Sequence, residues 1–201
     1  IDNDPETTKY TLIVLGLFRY HCDISDLIDI NMILDYINST DIDIIICSSR
    51  CFSDFCIVDG DFGSKMFSLE YFYRLIEIYH SLSFDRKLDF VFQIVTLASI
   101  APVDQLFLLC KNDTATQNDN LLAVFSEIVN TKSVILLDKL LRVILNIINY
   151  SDSINEFDSL DLEPFLIAIH DIQNSDTFEE LAHTDIPSLF TMIQSFFNTE
   201  S

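Results

Sequence analysis

The stretch LLAVFSEIVNTKSVILLDKLLRVILNIINY, residues 121–150, carries the clearest structural signal in the chain. Its apolar residues recur at the three- and four-residue spacing of an amphipathic helix. The polar residues Asn130, Thr131, Lys132 and Ser133 interrupt that spacing once. The pattern therefore predicts a shorter helix over 121–129, followed by a longer one over 133–150.

Helical spacing extends over most of the chain. The other predicted helices cover residues 11–20, 25–37, 43–56, 67–81, 85–99, 103–110, 165–173, 177–182 and 187–197. Residues 42–46 are β-branched enough to suggest a strand, but the flanking helices favour a helix there. In the first helix, Leu12, Leu15 and Phe18 are expected to lie on one side. About ten or eleven helices and no strand result, so we predict an all-α fold.

Polar and glycine-containing segments separate the helices. Gly60 and Gly63 mark the clearest break. The polar segment 111–120 is expected to be a mobile loop. The acidic segment 151–162 precedes Pro164, which suits the first turn of a helix.

A pattern of a shorter helix, a polar turn and a longer helix recurs along the chain. Its copies begin near residues 32, 73, 122 and 165, so they are 41, 49 and 43 residues apart. Each copy has an apolar face that it cannot bury alone, and stacking on neighbouring copies would bury it. An ordinary helical bundle with accidental spacing is the alternative.

The closing triplets of the longer helices carry a family resemblance. They are apolar–polar–apolar in Val95-Thr96-Leu97 and Leu145-Asn146-Ile147, and the first copy, Ser53-Asp54-Phe55, fits in part. In period and in these triplets the chain resembles armadillo-type helical repeat proteins, whose units span roughly 40–47 residues. Most of the glycines usual between the first two helices of each unit are missing, which leaves HEAT-like or irregular stacks open.

The resemblance implies an α-solenoid of about four armadillo- or HEAT-like repeats. We predict a single helical-repeat domain over residues 1–201, expected to be a fragment of a longer chain. Its units would span about residues 11–24 (partial), 25–60, 65–101, 103–152 and 160–201.

Composition excludes several functional classes. The 201 residues carry 32 Asp and Glu against 11 Lys and Arg, a formal net charge of −21. An acidic surface repels phosphate, so no nucleic-acid partner is expected. No run of about 18 uncharged apolar residues occurs, so no membrane span is expected. An odd number of cysteines, five, favours a reducing compartment, and we expect a cytoplasmic or nuclear protein.

No motif of catalysis or metal binding stands out. Cys47, Cys51 and Cys56 lack a nearby histidine and a CxxC pair, so small packing residues are the favoured interpretation over a zinc site. The segment 59–70 has oxygen ligands at three EF-hand positions but lacks the required central glycine. The four histidines are scattered, and no phosphate loop or nucleophile elbow occurs. We expect no enzyme activity, no metal and no cofactor.

The armadillo resemblance points to protein binding. In that family the last helix of each unit lines a concave face that binds extended peptides or partner domains. The residues that the resemblance places on this face are Arg50, Asp54, Gln93, Thr96, Arg142, Asn146 and Asn149. Asn146 matches the position of the family's peptide-clamping asparagine, whereas Asp54 and Thr96 depart from it.

We therefore expect a protein-interaction scaffold for a peptide or partner protein, and the acidic charge makes a basic partner one candidate. A nuclear-transport-type adaptor is one form of this, but such receptors use a Trp beside the asparagine and this chain has none. A solvated helix face without a partner remains the alternative.

The second functional hypothesis is structural. Apolar ends such as residues 12–18 and 190–197 would need polar caps unless something stacks on them. The chain would then stack as a segment of a longer solenoid, against adjoining repeats, or as a homo-oligomer.

Overall fold

The fold is all-α, as the spacing predicts. The computed structural model describes residues 4–22, 28–59, 67–111, 120–129 and 133–197. Within these ranges the only β-type pairing is an isolated bridge between Lys111 and Leu160. The chain divides into two compact units, Ile1–Ala101 and Pro102–Ser201. Their boundary falls between two predicted repeat copies, so it splits none of them.

The first unit contains five α-helices among its described residues. They are α1 (Pro5–Arg19), α2 (Ile30–Asp35), α3 (Ile42–Val58), α4 (Leu69–Ser81) and α5 (Phe84–Ile100), with a 3-10 turn (Tyr36–Asn38) after α2. α1 begins six residues before the predicted start, because the Asp4 side chain caps it by accepting a hydrogen bond from the Thr7 backbone N–H at 3.0 Å. The β-branched stretch 42–46 is helical. The predicted start of the second helix at residue 25 and the break at Gly60 and Gly63 lie outside the described residues.

In the first unit, each longer helix packs on the longer helix two places away. α1 packs along α3 and α3 along α5, while α2 and the 3-10 turn pack on α3 and α4 packs on α5. The Asp43 carboxylate of α3 joins the layer by pairing with Lys9 of α1 at 3.7 Å and Arg86 of α5 at 2.7 Å. α3 therefore lies at the centre of the unit.

The residues predicted to share one side of α1 do not share one environment. The buried residues of α1 are Thr8, Leu12, Gly16 and Arg19. Leu12 is 2% exposed and Phe18 is 54% exposed. The side of α1 that packs on α3 therefore runs through Leu12 and Gly16, and Phe18 lies off it.

The core of the first unit combines large aromatic residues with small residues on α3. Phe52, Phe55, Phe72 and Phe90 are at most 3% exposed, and the ring of Phe52 packs edge-on against Tyr71 at 5.4 Å. The buried small residues of α3 are Ser48, Ser49, Cys51, Ser53 and Cys56. Their size lets α1, α2 and α5 approach one central helix closely.

The second unit contains six α-helices among its described residues. They are α6 (Val103–Cys110), α7 (Leu121–Ile128), α8 (Val134–Ser153), α9 (Glu163–Gln173), α10 (Asp176–Leu181) and α11 (Ile186–Ser195), with a 3-10 turn (Phe157–Ser159) before α9. α7 ends at Ile128 and α8 begins at Val134, on either side of the break predicted within 121–150; residues 130–132 of that break lie outside the described residues. Pro164 lies in the first turn of α9, as predicted. Residues 112–119, most of the predicted mobile loop, lie outside the described residues.

Helices two apart also pack together in the second unit. α6 packs on α8 and α7 on α9, while α8 also packs on α11. α8 is the central helix, and the side chains of Leu140, Leu141, Ile144, Ile147 and Ile148 on it are fully buried. Burying one large aliphatic side chain stabilises the folded state by about 1.5–3 kcal/mol. These five residues therefore make α8 a large contributor to the stability of the unit.

Candidate partner-binding cleft

Four of the seven predicted binding residues line one open cleft in the first unit. Arg50 and Asp54 project from α3, four residues apart, and Gln93 and Thr96 project from α5. The cleft has a volume of about 490 Å³. Its remaining lining residues are Tyr20, Ser53, Ile57, Leu88 and Phe92. Packing of α3 against α5 thus brings together residues that are 39 to 46 positions apart in the sequence.

Asp54 is held in place by the residue that follows α1. The Tyr20 hydroxyl donates a hydrogen bond to Asp54 Oδ1 at 2.9 Å. The other carboxylate oxygen, Oδ2, lies where a side chain at position 16 would begin, since a Cβ on Gly16 would be 2.6 Å from it. Gly16 therefore makes room for the Asp54 carboxylate between α1 and α3.

Burial shapes the electrostatics of the cleft. Partial burial raises the pKa of Asp54, while the Tyr20 hydrogen bond and the nearby Arg50 guanidinium oppose that rise. Burial and the hydrogen bond to Asp54 also raise the pKa of the Tyr20 hydroxyl. The cleft therefore combines the Arg50 guanidinium with a carboxyl group, Asp54, whose pKa burial raises.

The floor of the cleft is polar. Gln93 is 7% exposed, and Thr96 is fully buried. Among the described residues, the Thr96 Oγ1 atom has no hydrogen-bond partner. An unpartnered buried hydroxyl costs free energy, and this one lies beneath the surface of the cleft.

The rim of the cleft is apolar, and this feature was not predicted. Tyr20, Ile57, Leu88 and Phe92 are each 41–56% exposed. The helical spacing of apolar residues predicts burial in the core, so it does not predict that these four residues form an exposed rim. The signal that could have found them is the pair Leu88 and Phe92, which lies on α5 one turn apart and beside the polar Gln93.

The other three predicted residues lie in the second unit. Arg142, Asn146 and Asn149 form an exposed row along α8, at positions i, i+4 and i+7. Arg142 is already engaged, because it donates two hydrogen bonds of 3.0 Å to Asp138 and one of 3.1 Å to Asp185. These ion pairs raise the pKa of Arg142. Asn146 and Asn149 make no hydrogen bond through their side chains within the described ranges.

A second cleft in the first unit, of about 440 Å³, lies between the α2 region and α4. Its charged residues are Asp35, Glu70, Arg74 and Glu77. Arg74 pairs with Glu77 at 2.8 Å, so its positive charge is satisfied within α4. None of the predicted binding residues lines this cleft.

An uncovered apolar stripe runs along α1. Tyr10, Ile13, Val14, Leu17 and Phe18 are between 38% and 65% exposed. The last helix differs: Phe190 and Ile193 of α11 are fully buried, and the half-buried Phe196 and Phe197 contact the ring of Phe157. Of the two predicted apolar ends, the first is open and the described part of the second is largely covered.

The cysteines lie in surroundings typical of packing residues. All five are free thiols. Burial raises the pKa of both Cys51 and Cys56 to about 12, which keeps them protonated. Across the described ranges, no group of three His, Cys, Asp or Glu side chains could hold a metal ion. Most of the EF-hand-like segment 59–70 lies outside those ranges.

No protein family is identified for this chain by comparison with known proteins. Within the described residues, no helix is both long and apolar enough to cross a membrane. Comparison of the chain with protein-family models, curated proteins and solved structures found no match.

Proposed function

We propose that the protein is a non-enzymatic interaction scaffold that binds a peptide or a partner protein in the cleft between α3 and α5. The observation that carries this proposal is the composition of the cleft. It combines an apolar rim with two charged residues, Arg50 and Asp54. An apolar site with a few placed polar groups is the usual composition of a binding surface.

The rim supplies affinity and the polar groups supply orientation. Phe92 and Tyr20 can contact apolar side chains of a peptide, and exposed aromatic residues are enriched among interface hot spots. Asp54 can accept hydrogen bonds from Lys, Arg or backbone N–H groups. The net charge of −21 would steer a basic partner toward the protein.

An enzyme is a weaker proposal for the same cleft. The raised pKa of Asp54 is a feature that catalytic carboxylates share. However, no histidine lines the cleft, and Asp54 is bonded to Tyr20 rather than to a Ser or Cys nucleophile. The cleft is also open to solvent, whereas most catalysis depends on excluding water.

We further propose that the helices form an armadillo-like stack, with the α3–α5 cleft on its concave face. Packing between helices two apart, in both units, supports this arrangement. The longer helices α3 and α5 would be the last helices of successive repeats. The five free thiols support a reducing compartment, the cytoplasm or the nucleus.

A second candidate function is structural. The exposed stripe on α1 supports stacking through an apolar end, because soluble proteins rarely leave such a continuous apolar surface uncovered.

The proposed function can be tested by selecting peptides from a random display library on the immobilised protein. The affinity of each enriched peptide is then measured by fluorescence anisotropy. We expect Phe92→Ala to weaken binding by about tenfold or more, since it removes an aromatic contact from the rim. Asp54→Lys should weaken basic peptides most.

The matched control is Tyr73→Ala on α4. Tyr73 is 39% exposed and Phe92 is 41% exposed, but Tyr73 lies outside the α3–α5 cleft. Peptides that bind the Phe92→Ala and Tyr73→Ala variants equally well would contradict the cleft assignment.

A further inference from the structure

The stripe on α1 has the pattern of a helix with two packing faces. Its residues Tyr10, Ile13, Val14, Leu17 and Phe18 follow the spacing i, i+3, i+4, i+7 and i+8. At 100° per residue, they lie opposite the buried stripe of Thr8, Leu12 and Gly16 that faces α3. A helix with an apolar face on both sides is normally covered on both sides.

The stripe is also free of charge in a strongly acidic chain. The charged residues of α1 are Glu6, Lys9 and Arg19; Lys9 and Arg19 lie off the stripe, and Glu6 lies on its side of the helix one turn before Tyr10. Lys9 pairs with Glu6 and Asp43, and the largely buried Arg19 lies 3.9 Å from Asp59. The carboxylates of α3 beside α1, including Asp43 and Asp54, lie on the far side of α1 from the stripe, because α3 packs on the opposite face.

We infer that the stripe is a homodimer interface in which α1 packs antiparallel against α1 of a second copy. Two chains of charge −21 repel each other, so they can associate only where both surfaces lack negative charge. In an antiparallel pair centred near Ile13 and Val14, Tyr10 of each copy meets Leu17 and Phe18 of the other. This repeats the self-complementary contact that a two-fold axis requires.

The area fits a weak to moderate dimer. The five side chains expose on the order of 500 Å² per copy, so pairing would bury roughly 1,000 Å², the lower limit for a specific interface. The inference gives the second candidate function its partner, and none of the stripe residues lines the α3–α5 cleft. Its failure and the failure of the peptide-binding proposal are therefore separate results.

The test is the molar mass of the purified protein by sedimentation equilibrium over a range of concentrations, at low and high salt. We expect a monomer–dimer equilibrium that strengthens with salt, because salt screens the repulsion between acidic chains. Binding of a basic peptide in the cleft would weaken with salt instead. A monomer at every concentration and salt condition would overturn the inference.

Leu17→Glu should raise the dissociation constant by at least about tenfold, since it removes a buried apolar contact and adds a charge. The matched control is Ile167→Glu on α9, because Leu17 and Ile167 are both 55% exposed. Circular dichroism verifies that both variants fold. Equal dissociation constants for the two variants would overturn the α1 interface.

Cross-linking tests the antiparallel arrangement. Val14→Cys in a Cys22→Ser/Cys47→Ser background places a thiol near the proposed two-fold axis and removes the two native thiols that are not buried. Cys51, Cys56 and Cys110 are buried thiols with raised pKa values, so they should stay unreactive. A short bis-maleimide should join two Val14→Cys chains much faster than two Ile167→Cys chains. Equal rates would overturn the arrangement.

Discussion

At the residue scale, the polar groups of the α3–α5 cleft are not arranged for stability. The buried Thr96 hydroxyl lacks a partner among the described residues, and the Asp54 carboxylate is half-buried beside an apolar rim. Polar groups that cost stability in the free protein are commonly retained for binding. Two substitutions test whether these groups have that cost.

Thr96→Val replaces the hydroxyl by a methyl group of similar shape. We expect the free energy of unfolding to rise by about 1 kcal/mol, because the variant buries no unsatisfied oxygen. Thermal and urea unfolding measure the change. Thr8→Val is the control, since the Thr8 hydroxyl donates to the Asp4 carbonyl at 3.2 Å and its loss should destabilise the protein. Destabilisation by Thr96→Val would mean that its hydroxyl is satisfied.

Asp54→Asn tests the cost of the carboxylate through its pH dependence. Burial raises the pKa of Asp54 above the ordinary 3.8, so the native state favours the protonated form. Ionisation of Asp54 therefore lowers stability at neutral pH, and stability recovers as the pH falls through the raised pKa. Asp54→Asn should raise the melting temperature at pH 7, and this gain should vanish at acid pH.

The exposed Asp185 is the control for that experiment. Asp185→Asn removes one ion pair with Arg142, and an exposed pair contributes little to stability. A gain at pH 7 of the same size in both variants would indicate a general charge effect rather than the burial of Asp54.

At the element scale, one side chain joins two helices of the second unit. Asn120 Oδ1 accepts a hydrogen bond from the Leu122 backbone N–H at 2.7 Å and so caps α7. Its Nδ2 donates to the Cys110 carbonyl at the end of α6 at 2.9 Å. Asn120 therefore fixes the start of one helix relative to the end of the preceding one.

Asn120→Ala should lower the free energy of unfolding by about 1–2 kcal/mol, since it removes both the cap of α7 and the hydrogen bond to the Cys110 carbonyl. Asn120→Asp keeps the capping oxygen and loses only the donor, so it should cost less. Urea unfolding of the two variants beside the parent protein measures both values. An equal loss of unfolding free energy in both variants would assign the whole effect to the hydrogen bond between Asn120 and the Cys110 carbonyl.

Helix spacing predicted the elements better than it predicted their faces. The predicted helix 103–110 matches Val103–Cys110, and the predicted start at 85 is one residue from that of α5. The start of α1 was missed because its cap, Asp4, lies in an acidic segment without apolar periodicity. Leu12 and Phe18 were predicted to share one side of α1, but Leu12 is buried and Phe18 is exposed.

The same reasoning limits prediction of the cleft. Arg50, Asp54, Gln93 and Thr96 were expected on one surface from the armadillo resemblance, and all four line one cleft. The contribution of Tyr20 was not predictable, because it follows α1 and reaches Asp54 only through tertiary packing.

At the scale of the whole molecule, the dominant feature is a net charge of −21. Self-repulsion of this size destabilises the native state at low ionic strength. We expect the melting temperature to rise with NaCl up to a few tenths molar, by about 2–4 °C for each kcal/mol gained. Salt is also expected to strengthen dimerisation, which would raise the melting temperature as well. The Leu17→Glu variant, in which dimerisation should be weakened, separates charge screening within one chain from association of two chains. Sucrose at equal osmolality is the control, and an equal rise in sucrose would rule out charge screening.

The small residues of α3 have a consequence for how this protein can vary. Ser48, Ser49, Cys51, Ser53 and Cys56 are all at most 2% exposed on a helix contacted by α1, α2 and α5. Any larger side chain there would meet a neighbouring helix, and overpacking costs about 1–3 kcal/mol. In a saturation mutagenesis experiment, these five positions of α3 should therefore tolerate exchanges among Ala, Ser and Cys. Nearly all larger residues at the same positions should destabilise the protein. Substitutions among homologous sequences should be restricted to the same small residues at these positions.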